Sequence, residues 1–167
     1  MSFKPLFVHN DTTIHETKSG SLFIEEVGDA SVAVVAIRGE DMMIVEQYRH
    51  QLEQHTYELP GGGLEVDEEP IEGAKRELKE ETGIQAKEMV YLGTFHPQPY
   101  FINRYSHLFF TRDTLNFGEQ SLDEDEQITV HQMPIDDVLN RIKEGRFQDG
   151  ELGYAILLCK LKGLLKD

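Results

Sequence analysis

The chain alternates between short, nearly all-apolar runs and longer stretches in which apolar residues recur with helical spacing. Ser31–Ile37, SVAVVAI, is apolar at almost every position, the pattern of a strand covered on both faces. Gly39–Asp41 turns the chain and Met42–Tyr48 returns as its antiparallel partner. Glu58–Pro60 leads into a glycine turn at Gly61–Gly63. Ile71, Ala74 and Leu78 recur at i, i+3 and i+7, which predicts a helix with one apolar stripe. Pro70 suits its first turn, and Asp67, Glu68 and Glu69 lie at the positive end of its dipole. Gly83 ends it. Met89–His96 and Tyr105–Thr111 read as further strands, and another passes through Ile128 and Val130. Ile135, Val138, Leu139 and Ile142 predict a second helix closed by Gly145, and Asp149 caps a third carrying Leu152, Ala155, Ile156 and Cys159. Leu6–His9 and Ser21–Glu26 are strand-like pieces separated by a turn at Gly20. The expected architecture is one mixed α/β domain with its sheet between helices. Residues 1–27 form a short N-terminal strand extension and 28–167 the main domain.

Composition narrows the function more than the fold. The formal net charge of -15 argues against sequence-independent binding to nucleic acid or to an anionic membrane. The start, MSFKPLFVHNDTT, lacks the pattern of a signal peptide, and the lysine-broken LLCKLKGLLK cannot span a bilayer. One cysteine, Cys159, excludes an internal disulfide and fits a reducing cytoplasm; within YAILLC it reads as a small buried apolar residue. His55, His96, His107 and His131 lack zinc-like spacing and read as structural or surface groups.

The acidic residues are less evenly spread. On the helix begun at Pro70, Glu77 and Glu81 are one turn apart, with Glu80 three residues from Glu77, so three carboxylates gather beside the apolar stripe. A solvated acidic face balanced by Lys75, Arg76 and Lys79 would account for this. So would a hard divalent cation, and Mg²⁺ at a carboxylate cluster implies a phosphate-bearing substrate. The spacing favours the second. Gly62, Glu68, Arg76, Glu77, Leu78, Glu80, Glu81, Gly83 and Ile84 occupy every fixed position of G-x5-E-x7-R-E-U-x-E-E-x-G-U, where U is aliphatic. The segment resembles the Nudix box of the Nudix hydrolases, and the resemblance runs over most of the chain. It implies the Nudix α/β/α sandwich with a mixed sheet, and divalent-metal-dependent hydrolysis of a nucleoside diphosphate linked to another group.

The flanks resemble one branch of that family, the ADP-ribose and nucleoside-diphosphate-sugar pyrophosphatases, through VEQYRHQLEQHTYELPGG (Val45–Gly62) and HPQPYFINRYSHLFF (His96–Phe110). The resemblance implies Mg²⁺ (with Mn²⁺ as an alternative) on Glu77, Glu80, Glu81, the Gly61 carbonyl and Glu126. Arg76 holds the glutamates, with Glu68 as its ionic partner. Arg49, Tyr48, Tyr57, Glu58, Pro99 and Arg104 are the candidate substrate-binding residues, Arg49 as a two-pronged phosphate clamp; Tyr48 or Tyr57 could stack on a base, although a strand tyrosine is more often simply packed. Within the acidic loop, Glu124 is assigned to the attacking water and Glu126 to the metal, the exchanged assignment being the alternative. Pro99-Tyr100 stands where many relatives have Pro-Gly, so a dinucleoside polyphosphate is the second substrate class. A nucleotide-sugar sensor without turnover is the non-enzymatic alternative. The branch pairs through its N-terminal strands, which implies a homodimer.

Overall fold

A computed structural model describes residues 3–28, 30–122 and 126–165. The N-terminal strands β1 (Lys4–His9), β2 (Thr12–Glu16) and β3 (Leu22–Glu26) form an antiparallel three-stranded sheet of their own. The second sheet contains β4 (Ala30–Arg38), β5 (Asp41–Arg49), β6 (Gln54–Glu58), β7 (Gly61–Gly63), β8 (Ile84–Phe95), β9 (Tyr105–Phe117) and β10 (Ile128–Pro134). Its spine runs β10-β5-β4-β9-β8, with β6 beside β5 and β7 beside β4. The β4–β9 pair is parallel, whereas β8–β9, β5–β10 and β4–β5 are antiparallel, so the sheet is mixed. Helix α1 (Pro70–Thr82) packs on one face; α2 (Ile135–Lys143) and α3 (Gly150–Leu161) pack on the other.

β4 shows why the α/β/α order follows from the sequence. Its even positions Val32, Val34 and Ala36 join Met43, Ala74, Leu78, Ile84 and Phe109 beneath α1. Its odd positions Ala33, Val35 and Ile37 join Ile44, Leu108, Phe110, Val138, Leu152, Ala155, Ile156 and Cys159 beneath α2 and α3. A strand buried on both faces cannot alternate apolar with polar, and SVAVVAI does not. Burial also pushes the Cys159 thiol up to about 12, which makes it an inert packing group.

Several elements differ from the expectation. Thr12–Glu16, Gln54–Glu58 and the glycine run Gly61–Gly63 are strands, although no apolar alternation announces them. Their ladders come from neighbours: Gly61–Gly63 pairs with Ser31–Ala33, and Gln54–Glu58 with Val45–Arg49. β8 and β9 extend beyond the expected ends as a largely exposed, bulged pair, and each register shift resets the alternation that reveals a strand. His96 falls just outside β8. Ile71 is 38% exposed and lies outside the buried cluster, whereas Leu64 packs against Gly73 and the cluster of Ala74 and Leu78. The left-handed Gly83 (φ 72°) ends α1 and donates its N–H to the Lys79 carbonyl at 2.8 Å, as expected of a C′ glycine.

Candidate active site

The box helix and the glycine strand are fitted to one another. β7 runs so close to β4 that a Cβ on Gly61 would lie 2.1 Å from the Val32 carbonyl oxygen, and one on Gly62 2.6 Å from the Glu77 carboxylate. The bare Gly61 therefore lets β7 approach β4, and the bare Gly62 lets the Glu77 carboxylate lie against the strand. Glu81 is only 2% exposed and accepts a hydrogen bond from the Gly61 N–H at 2.8 Å. Burial first, then the charges of Glu77, Glu126 and Glu58, push its carboxyl up to about 8 against the partial relief of that hydrogen bond. Burial likewise raises Glu77, and Glu80 and Glu126 add to the rise while Arg76 opposes it.

Arg76 organises the acidic group. It donates from Nε and Nη2 to Glu68, both at 2.9 Å, and from Nη1 to Glu77 at 2.7 Å and Glu80 at 3.0 Å. Nη2 also reaches the Gly63 carbonyl at 2.9 Å. Planar, multivalent recognition of this kind suits a guanidinium and not an ammonium. Hydrogen bonding from Arg76 outweighs the effect of burial and holds Glu68 below the usual carboxylate range. Glu68 and Arg76 thus connect the acidic turn, the glycine strand and the helix.

The cleft above these groups has a volume of about 310 Å³. Gly61–Gly63, Glu81 and Glu126 line one wall; Gln47, Arg49, Glu58, Pro97, Arg104, Asp149 and Glu151 line the other. Arg49 on β5 faces Glu58 on β6, donating from Nε at 2.8 Å and pairing again through Nη2. Burial raises the Glu58 carboxyl, but hydrogen bonds from Arg49 and Thr56 overrule it and the net shift is downward. Arg104 forms an ion pair with Glu26 at 3.1 Å. At the head of α3, Asp149 accepts from the Leu152 N–H at 2.6 Å, as expected of its cap, and burial raises its carboxyl and that of Glu151. Asp149 and Glu151 as cleft residues were not anticipated. The cap signal at Asp149 was visible, whereas the packing of α3 that brings both into the cleft was not.

Of the expected substrate-facing residues, Arg49, Glu58 and Arg104 reach this cleft, and Tyr48, Tyr57 and Pro99 are not part of its lining. Tyr57 stacks on Phe147 with ring centroids 4.8 Å apart, so one of its faces is already covered. It lines an adjoining groove with Arg141 and Phe147. Tyr48 stands edge-on to His50 and His55. Pro97 occupies the cleft where Pro99 was expected. Glu124 lies outside the described residues, and Glu126 faces Glu77 and Glu81 closely enough to shift both.

Among the described residues no three carboxylate, imidazole or thiol groups stand together as a ready-made metal cage. The reason is electrostatic. Uncompensated carboxylates separate, and here Glu81 turns to a backbone N–H while Glu77 and Glu80 turn to Arg76. Glu77 and Glu81, raised first by burial and then by neighbouring carboxylates, are nevertheless oxygen donors that fit a hard divalent cation, which would relieve that cost.

Residues 28–153 match the family described as NUDIX domain. The chain is 37% identical over 138 residues to the methanol dehydrogenase activator of Bacillus methanolicus, covering 81% of this chain and 75% of that protein. It is 36% identical over 138 residues to the ADP-ribose pyrophosphatase of Bacillus subtilis (strain 168), with the same coverage of 81% and 75%. A crystal structure of an ADP compounds hydrolase superposes with a TM-score of 0.80 at 19% identity, covering 98% of this chain and 94% of that one.

Proposed function

This chain belongs to the Nudix family, and on that premise we propose that it hydrolyses the pyrophosphate bond of a nucleoside diphosphate sugar, ADP-ribose first among them. The observation that carries the reading is the cleft itself. The arginines Arg49 and Arg104 share its lining with the carboxylates of Glu81 and Glu126, an arrangement suited to an anionic diphosphate brought to a divalent cation. Relatives named as ADP-ribose pyrophosphatases, at 36% and 30% identity, support the substrate class.

Water adds to one phosphorus and the bridging P–O bond breaks, so ADP-ribose gives AMP and ribose 5-phosphate. We assign metal binding to Glu77, Glu80, Glu81, Glu126 and the Gly61 carbonyl; Mg²⁺ or Mn²⁺ bound there supplies charge neutralisation and a more acidic water. Arg76 and Glu68 keep those carboxylates in register. Arg49 and Arg104 bind the phosphate oxygens and orient the diphosphate. Glu124 takes the proton of the attacking water.

A direct test is release of AMP from ADP-ribose, ADP-glucose, GDP-mannose, UDP-glucose and diadenosine polyphosphates, with and without Mg²⁺. Mg²⁺-dependent turnover of the sugar nucleotides is expected. Preference for the diadenosine compounds would shift the substrate class, and tight binding without turnover would make the chain a sensor. We also propose that residues 1–27 pair two copies into a homodimer. Phe3, Leu6, Phe7 and Val8, on and next to β1, stand exposed at 44%, 48%, 57% and 63%. Sedimentation of a fully active monomer at micromolar concentration would exclude this. The single cysteine supports a cytoplasmic setting. No described helix is long and apolar enough to cross a membrane.

A further inference from the structure

The segment that carries Pro97 and Arg104 into the cleft is not held by the main domain alone. A turn at Gln98 receives the N–H groups of Phe101 and Ile102 at 2.9 and 3.0 Å, and the chain then runs alongside β3. The Ile24 N–H donates to the Phe101 carbonyl at 2.7 Å, the Asn103 N–H to the Ile24 carbonyl at 3.3 Å, and Ile24 and Ile102 form a single parallel bridge. The side chain of Asn103 continues that ladder where the backbone leaves it. Its Oδ1 accepts from the Glu26 N–H at 2.9 Å and its Nδ2 donates to the Glu26 carbonyl at 3.1 Å. Asn103 therefore acts as a peptide unit added to β3, a role that requires an acceptor and a donor on one short side chain.

The next residue is Arg104, and the one after it, Tyr105, is already fixed in register opposite Ala30 on β4. The backbone of Arg104 is thus held on both sides. Its guanidinium, 51% exposed, pairs at 3.1 Å with the side chain of Glu26, the residue whose backbone Asn103 grips. An ion pair this exposed contributes little stability and is better understood as an aiming contact.

We propose that Asn103 is a positioning residue for Arg104. By clamping the N-terminal sheet to the cleft wall it sets the guanidinium where the substrate diphosphate takes it over from Glu26. The N-terminal strands of a protomer then take part in its own active site, in addition to any part they have in pairing. The inference rests on the reading that the cleft receives a nucleoside diphosphate.

The test is a double-mutant cycle on the full chain with Asn103→Ala, Arg104→Ala and both, reading the affinity for ADP in Mg²⁺ by calorimetry and steady-state kinetics on ADP-ribose. Asn103→Ala should weaken ADP binding about tenfold, yet less than about twofold in the Arg104→Ala background. On ADP-ribose the single variant should raise KM by a similar factor while kcat stays within about twofold. Equal losses in both backgrounds would show that Asn103 merely supports the fold, and no loss in the first would show that the clamp is dispensable; either overturns the proposal. If Asn103→Ala does not fold, Asn103→Asp carries the same cycle, since it keeps the acceptor and removes the donor. A wild-type chain that binds ADP but cleaves no nucleotide sugar would overturn the proposed function, while the ADP cycle still decides the role of Asn103.

Discussion

The two walls of the cleft are built in opposite ways. Apart from Glu126 and the β4 ladder beside Gly61–Gly63, the wall of Gly61–Gly63 and α1 comes from one continuous stretch, and its side-chain hydrogen bonds (Arg76 with Glu68, Glu77, Glu80 and Gly63, and Gly61 with Glu81) all fall between Gly61 and Glu81. The facing wall is assembled from β5, β6, the segment before β9 and the head of α3, with partners as far away as Glu26. A wall whose geometry is internal can be fixed by spacing alone. One pooled from distant segments depends on how the whole chain packs. Under the proposed function the difference also divides the labour: the chemistry is assigned to the contiguous wall, where small displacements are most costly, and recognition to the composite wall.

Substitutions test that division, and the largest effects belong to the contiguous wall. Glu77→Gln and Glu81→Gln should each lower kcat about 10³-fold, roughly 4 kcal/mol of barrier, with the fold intact by circular dichroism. Next comes Arg76→Ala, which releases three glutamates together. It should lower kcat about 10–100-fold and cost about 2 kcal/mol of stability in urea unfolding, less than a fully buried pair because the guanidinium retains some exposure. On the facing wall Arg49→Ala should act mainly on KM, raising it about tenfold with little change in kcat. Equal losses of kcat from both walls would break the comparison.

A pH measurement sharpens it. In chelator-treated protein, burial holds the Glu81 carboxyl near about 8 instead of its ordinary 4.5, so the folded chain keeps a proton that the unfolded chain releases. That contribution is complete below 4.5 and is lost as pH rises toward about 8. Metal-free stability should therefore fall across this window. Glu81→Gln should remove the fall and raise the melting temperature at pH 8, by about 2–4 °C for each kcal/mol regained. A flat stability profile in the wild-type chain would refute the assignment. The smallest effect belongs to Ile71→Ser, within about 0.5 kcal/mol by urea unfolding, since Ile71 is exposed and lies outside the buried cluster beneath α1.

The same contrast explains what was legible in the sequence. The layers of the fold could be read because β4 is apolar on both faces and each helix carries its stripe or its cap. The box could be read because Glu68, Arg76, Glu77, Glu80 and Glu81 meet through one turn and one helix. The strands Thr12–Glu16 and Gln54–Glu58 could not, since their ladders depend on partners and not on their own pattern. Tyr57 could be read as packed or as stacked on a base, and Phe147, remote in sequence, covers one face of its ring. Asp149 and Glu151 enter the cleft through the packing of α3, and nothing local to them signals it.

The segment after β9 has one further consequence. Gln120 donates through its amide to the Glu81 carbonyl at 2.6 Å and the Ile128 carbonyl at 3.3 Å, while the Ser121 N–H reaches the Glu80 carbonyl at 2.8 Å. Both roots of the acidic stretch between them are thereby moored to the last turn of the box helix and the first residue of β10. For a chain whose ends are already held together, added length costs only the logarithm of its size, about 0.6 kcal/mol for each doubling. Added length between Ser121 and Gln127 should therefore carry only a small entropic cost to the fold. On the proposed function, what such a change puts at risk is the placement of Glu124 and Glu126, not the fold.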